Sequence, residues 1–277
     1  SGVAAFASAP GVLYPASFWL VVMGGIFAYY FLLIGRTCKV TRTASYAEAW
    51  KHTYGEVGSG LVALAVALKA GMGNLECSMI LADSCKDLMT TMGANLTRSQ
   101  SLLLVTLVAL LPLCLLKNIA VLAPFSILGL GAMLFTAVAM AVRYLDGSYD
   151  VATGGTFLED IPQEMQPSFG SVGAMGAFHI HLMVLLCMVS EAYMAHYNAP
   201  RFWVELKDKT VPRFGAVVGY SFGISAAYYI FVTAFGFLTF GAHSSGFILN
   251  NYSTNHSLAS TSRACVGFSL IFTYPII

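Results

Sequence analysis

MQPSFGSVGAMGAFHIHLMVLLCMVSEAYMAHYNAP, Met165 to Pro200, decides how the rest of the chain is read. No Asp, Glu, Lys or Arg occurs between Met165 and Ser190. Glu191, His196 and Asn198 then follow within eight residues, and the stretch stops at Pro200. A hydrocarbon core of ~30 Å needs about 20 consecutive apolar residues to cross it as a helix. This run is long enough, so its solvent is lipid if the remainder of the chain agrees.

It does agree. The chain has 277 residues, 57% of them hydrophobic and 10% charged, where a soluble domain carries roughly 25% charged residues. Mean hydropathy is +0.74. Six or more runs of roughly 17–25 residues are nearly free of charge, each long enough to span. None alternates with the two-residue period of a transmembrane β-barrel. The expected class is an all-α polytopic membrane protein. Net charge is +1, so nothing points to nucleic acid. Cys38, Cys77, Cys85, Cys114, Cys187 and Cys265 lack paired spacing and read as thiols of apolar runs, not as a disulfide frame or a metal site.

The spans are expected near 12–35, 59–82, 100–116, 118–142, 171–195 and 214–240. A partial helix precedes Pro10 and a truncated one starts near 262. The uncharged first 35 residues and the apolar last run read as an excerpt cut inside helices at both ends. Alternating the loops puts 36–58, Lys117 and 196–213 on one side, with nine Lys or Arg from Arg36 to Arg213. The other side has 83–99, 143–170 and 241–261. Its long loop, 144–170, carries five acids and neither Lys nor Arg. The positive-inside rule assigns the first side to the cytosol. The sequons at Asn95, Asn251 and Asn255 all fall on the other side, where glycosylation occurs. Asn251 and Asn255 are the expected acceptors. Gly215, Gly219 and Gly223 form a small-residue ladder suited to close helix approach, and Pro112 and Pro124 are candidate kinks.

Ionisable side chains at membrane depth face a bundle interior or a wet path, because the isolated charge is costly in lipid. Lys69, Glu76 and Asp83 recur every seven residues and share one helix face, with Asn74 nearby. Two readings are open for this stripe, a polar path and a structural ion-pair row. His179 and His181 lie two residues apart, on opposite sides of a regular helix, so they do not share a metal. Ser190, Glu191, His196 and Asn198 suit a place where a helix unwinds and its backbone groups need partners. They equally suit a helix that simply ends at the interface.

Ala192 to Asp208, AYMAHYNAPRFWVELKD, resembles the exit of the sixth helix in the amino acid/auxin permease superfamily. Its sodium-coupled neutral amino acid transporters and their vacuolar cousins are the members it is most similar to. Tyr193, His196 and Glu205-Leu206-Lys207 carry that likeness. SMILAD (78–83), SYAEAW (45–50) and FTYP (272–275) are similar to the family's third helix, first cytosolic loop and eighth helix. The resemblance implies a LeuT-like inverted-repeat helical bundle. About seven transmembrane helices of it lie here, from the end of the first helix to the start of the eighth, as a single domain over 1–277. It implies a substrate site between the first and sixth helices, lined by Ser190, Glu191 and Tyr193. It also implies a sodium ligand at Thr273. Glu191, His196 and Glu76 are further candidates for binding or coupling Na+ or H+, the only cofactor expected. Two residues depart from the family pattern: Glu191 replaces an aromatic or small apolar residue, and Tyr197 replaces a proline. A carboxylate at 191 has three open roles: binding a substrate amine, carrying a proton, or selecting cations.

The implied function is ion-coupled secondary transport of amino acids, neutral ones first, by alternating access in a eukaryotic plasma, lysosomal or vacuolar membrane. A sensor on the same fold that binds an amino acid and signals to a partner is the alternative. The chain contains no Gly-x-Ser-x-Gly or His-Glu-x-x-His pattern, which argues against an enzyme. The expected partners are a small amino acid and the lipid bilayer; oligomeric state is open.

Overall fold

The computed structural model describes residues 2–91, 93–115, 123–169 and 180–276. Nine α-helices are found among them: α1 (Gly2–Thr41), α2 (Tyr46–Thr91), α3 (Arg98–Val105), α4 (Leu111–Cys114), α5 (Ala123–Leu145), α6 (Ile180–Tyr193), α7 (Ala199–Glu205), α8 (Val211–Phe240) and α9 (Ser257–Thr273). Apart from a bridge between Ser168 and Gly241 there is no β-pairing among the described residues. Among the described residues four helices are long and apolar enough to cross a membrane: α1, α2, α5 and α8. Their outer faces carry apolar side chains such as Phe18, Leu64, Leu68, Tyr220 and Ile224. A soluble monomer rarely exposes so much contiguous apolar surface; in lipid these side chains need no cover.

Three boundaries differ from the sequence expectation. Pro10 does not separate two helices, since α1 runs unbroken through it. A membrane helix tolerates proline because neighbouring groups can satisfy the carbonyl it frees. The second span is far longer than 59–82. At 46 residues, α2 would extend roughly 70 Å at 1.5 Å per residue, about twice the hydrocarbon thickness. It joins the segment expected to be a cytosolic loop to a span across Gly55, whose φ of 75° and ψ of −170° break the helical geometry. Only glycine takes that conformation without a Cβ penalty. The third departure lies around Pro112. The stretch Thr106–Leu110 between α3 and α4 is π-helical, and a wider turn there accommodates a ring that lacks an N–H. Pro124 falls in the first turn of α5, where no intrahelical N–H bond is lost. The fifth expected span, 171–195, is described only from Ile180; His179 and the side chain of His181 lie outside the described residues.

Contacts divide the chain into two units. Unit one contains Ser1–Ser8, Ala70–Ser171 and Val232–Ile277; unit two contains Ala9–Lys69 and Val172–Phe231. In unit one α5 packs along α9. Met140, Tyr149, Phe240, Leu249, Tyr252 and Val266 form its core. The loops predicted to share the non-cytosolic side meet here. Asn251 Nδ2 donates to Met165 O at 3.2 Å and to His243 O at 2.8 Å. Arg143 at the end of α5 pairs with Asp146 and contacts His256, the N-cap of α9. Arg263 is 1% exposed. It donates from Nη2 to Leu249 O and Tyr252 O, both at 2.7 Å, and pairs with Asp87 at 3.1 Å.

In unit two, α1, α7 and α8 meet around Phe31, Cys38, Trp203, Phe214 and Val218. Gly35 permits the closest approach: a Cβ there would lie 2.2 Å from Phe214 Cε1. The loops predicted to be cytosolic line shared pockets, one formed by Trp50, Tyr54 and Pro200 with the end of α1. The six cysteines form no disulfide among the described residues.

Candidate functional site

The opening stretch breaks where its polar residues begin. Here α6 stops at Tyr193, Ala195 leaves helical geometry at φ −116° and ψ 15°, His196–Asn198 form one 3-10 turn, and α7 starts at Ala199 with Pro200 in its first turn. Proline is pre-organised for that position because its missing N–H has no intrahelical partner there. Two helices thus flank a five-residue interruption, 194–198.

Glu191, one turn before the interruption, forms an ion pair with Lys69 of α2. Lys69 is 25% exposed and Glu191 41%. Two apolar helices carry these charges, and each compensates the other. Ser190 Oγ donates to Leu186 O at 2.6 Å, within its own helix. Tyr193 is 3% exposed. Its hydroxyl donates to Leu20 O on α1 at 3.1 Å, and its ring stacks on Phe222 and meets Tyr229 edge-on. Tyr229 in turn donates to Ala192 O at 3.1 Å, satisfying a carbonyl of the last helical turn. His196 places Nε2 2.9 Å from Phe27 O, with Phe27 and Phe31 edge-on to its ring. Tyr193 and His196 therefore fasten the end of α6 and the interruption itself to α1. Beside it lies a cavity of about 340 Å³, walled by Phe31, Tyr193, Phe222 and Tyr229, with Ser221 and Ser225 also in its lining.

The remaining candidates belong to unit one. Thr273, the last residue of α9, donates from Oγ1 to Ser269 O at 2.8 Å. Its oxygen lone pairs remain available to a cation. Next to it, Tyr274 OH lies 3.2 Å from Ser78 Oγ, which donates to Asn74 O at 2.7 Å. The Asn74 Oδ1 is buried without a partner among the described residues. Glu76 is exposed and has no ion-pair partner among the described residues.

Of the two readings of the row Lys69, Glu76, Asp83, the structural ion-pair reading fits Lys69 and Asp83, each of which takes a partner outside the row. Asp83 takes Arg98, 2.6 Å away at the start of α3, and Lys69 takes Glu191. Residues seven apart rise by about 10 Å on a helix, too far for direct contact. Asn251, one of the two expected acceptors, is 0% exposed, and its amide is bonded to Met165, His243 and Ser245. Asn255 is exposed and keeps that expectation. The sequence reading overlooked Arg263; a lone arginine near the start of an apolar run was its available signal.

A polytopic helical membrane protein with an interrupted helix and an internal charge pair is the class these features define. Residues 4–277 match the family described as transmembrane amino acid transporter protein, and the chain belongs to that family. It is 25% identical over 264 residues to "Putative sodium-coupled neutral amino acid transporter 11" of Danio rerio, covering 93% of this chain and 55% of that protein. It is 29% identical over 167 residues to the Homo sapiens protein of the same name, covering 60% and 37%. Vacuolar amino acid transporter 7 of Saccharomyces cerevisiae is 26% identical over 173 residues, covering 61% and 33%. The chain spans about half the length of the first of these relatives. No solved structure matches it. Membership in a transporter family agrees with the absence of enzyme motifs.

Proposed function

We propose that the protein of which these residues form part is an ion-coupled secondary transporter of neutral amino acids. It works by alternating access in a LeuT-like inverted-repeat fold. The observation that carries this reading is the interruption at 194–198 beside the Lys69–Glu191 pair. Transporters build substrate sites from helices whose unwound ends present backbone groups. The names of the relatives, sodium-coupled neutral and vacuolar amino acid transporters, support the same substrate class and a plasma or vacuolar/lysosomal membrane.

The charge pair favours a neutral substrate. Glu191 is compensated inside the protein by Lys69, so the region needs no net charge from its ligand. A zwitterionic amino acid brings one ammonium and one carboxylate and leaves the balance intact. Thr273 supplies an oxygen of the kind a hard cation takes, and Glu76 is a carboxylate on α2 with no ion-pair partner among the described residues.

Uptake by the full-length protein in proteoliposomes tests this. Under an imposed sodium or proton gradient, neutral amino acids are expected to accumulate above their external concentration, and cationic and acidic ones are not. Specific binding without accumulation under either gradient would refute transport.

A further inference from the structure

We infer that the cytosol-facing end of unit two contains a binding pocket for the phosphorylated headgroup of an anionic membrane lipid. A cavity of about 430 Å³ opens between the end of α1, the turn into α2 and α7. Lys39, Arg42 and Lys209 line it, with Thr43, Trp203 and Val204. None of the three cations has an acidic partner among the described residues. The nearby acids are engaged elsewhere: Glu48 accepts the Ala44 N–H at 3.0 Å, Glu205 pairs with Arg201, and Asp208 pairs with Arg213, both at 2.9 Å. Three uncompensated positive charges therefore converge on one concave site.

Arg42 is the first residue past α1 and has φ +55°, the left-handed conformation that commonly closes a helix. Buried Thr43, whose Oγ1 lies 2.7 Å from that of Thr41, follows it. The turn out of α1 thus places both residues in the lining of the cavity, beside the two lysines.

The surroundings select a lipid over free phosphate. Val204 in the pocket lining is exposed, as are Val40 and Phe202, the chain neighbours of the lining residues Lys39 and Trp203. A ligand with an anionic head and apolar tails satisfies both the charges and this rim. Basic pockets at the cytoplasmic face of membrane helices are known to take such headgroups, each nearby Lys or Arg strengthening binding about 5-fold. A diffuse positive-inside bias would give the same net charge without a preferred position.

The test titrates the full-length protein in detergent with dioctanoyl phosphatidylinositol bisphosphate, and the bound fraction is read by native mass spectrometry. Parallel arms use dioctanoyl phosphatidylcholine, inositol trisphosphate and inorganic phosphate. The anionic lipid is expected to bind at least tenfold more tightly than each of these. Lys39→Gln/Lys209→Gln is expected to weaken it about 30-fold. Arg36→Gln/Lys207→Gln removes the same charge from the same face outside the pocket, and is expected to change binding less than threefold. Equal loss in the two double variants would overturn the pocket in favour of diffuse attraction. Equal affinity for inositol trisphosphate or phosphate would overturn the lipid, and equal affinity for phosphatidylcholine would overturn recognition of charge.

Discussion

Removing the Glu191 carboxylate leaves Lys69 as an uncompensated cation among apolar helices. The cost has an upper and a lower bound. A lone charge at the centre of a membrane helix costs about 2.5–3.5 kcal/mol on insertion scales, and an exposed pair is worth about 0–1 kcal/mol. With Lys69 25% and Glu191 41% exposed, solvent screens part of the interaction. A coupling of about 1–2 kcal/mol is therefore expected, between the surface and buried limits. The assay is a double-mutant cycle on the full-length protein in nanodiscs: Lys69→Gln, Glu191→Gln and both together, followed by reversible unfolding. Each single variant is expected to lose about 2 kcal/mol, and the double variant to lose less than the two combined by the coupling energy. The same variants report on function. Glu191→Gln, left with net positive charge, is expected to change pH dependence or substrate charge preference, while the neutral double variant returns toward zwitterions. Additive losses, with unchanged uptake at every pH, would refute both the pair's energetic role and the role of Glu191 in selecting charge.

Gly35→Ala puts a Cβ 2.2 Å from the Phe214 ring; overpacking of this kind costs about 1–3 kcal/mol, and melting in nanodiscs should show a loss that Gly25→Ala, with open space around its Cβ, does not. Asn255→Gln is expected to abolish the glycan-dependent gel shift in a secretory-pathway host. Asn251→Gln should keep that shift and lower stability by about 1–3 kcal/mol, because it disturbs a buried, fully bonded amide. Burial and the neighbouring Arg143 guanidinium hold the His256 imidazole below its ordinary value of 6.5. The folded state therefore binds fewer protons than the unfolded state, so the stability from neutral His256 is present above about pH 6.5 and is lost as pH falls through the lower folded value. Melting curves between pH 7.5 and 5 should show that slope, and His256→Asn, which retains a capping side chain, should flatten it. Thr273→Ala is expected to weaken sodium dependence of uptake; intact dependence would remove Thr273 from the ion site.

Four of the expected spans were visible in the sequence because lipid imposes a length and a composition on every helix that crosses it. Lysine and arginine bias in the sequence divides the loops into the two expected sets. Boundaries were less legible, each for a local reason. Nothing in 46–58 distinguishes an exposed loop from a helix joined to the next span across Gly55, since both tolerate mixed polarity. Proline at position 10 signals a break in water, yet inside a membrane the helix continues through it. The interruption after Tyr193 was readable as one of two options, because polar residues before a proline suit both an unwound segment and an ordinary helix end.

Partnership between distant residues was the part that could not be read. Lys69 and Glu191 are 122 positions apart, and heptad spacing grouped Lys69 with Glu76 and Asp83 instead. Shared face is a property of one helix, whereas pairing depends on which helix lies opposite, and that is settled by packing. The same logic explains Arg263 and Asn251. Each is polar in a segment that appears ordinary, and each is buried because carbonyls from separate loops converge on it. In lipid the hydrophobic effect does not hold helices together, so interhelical hydrogen bonds and close packing carry more of the specificity. Tyr193 to Leu20, His196 to Phe27 and Tyr229 to Ala192 are bonds of this kind. All three secure the segment around the interruption, which allows an unwound stretch to persist between two helices without unravelling either.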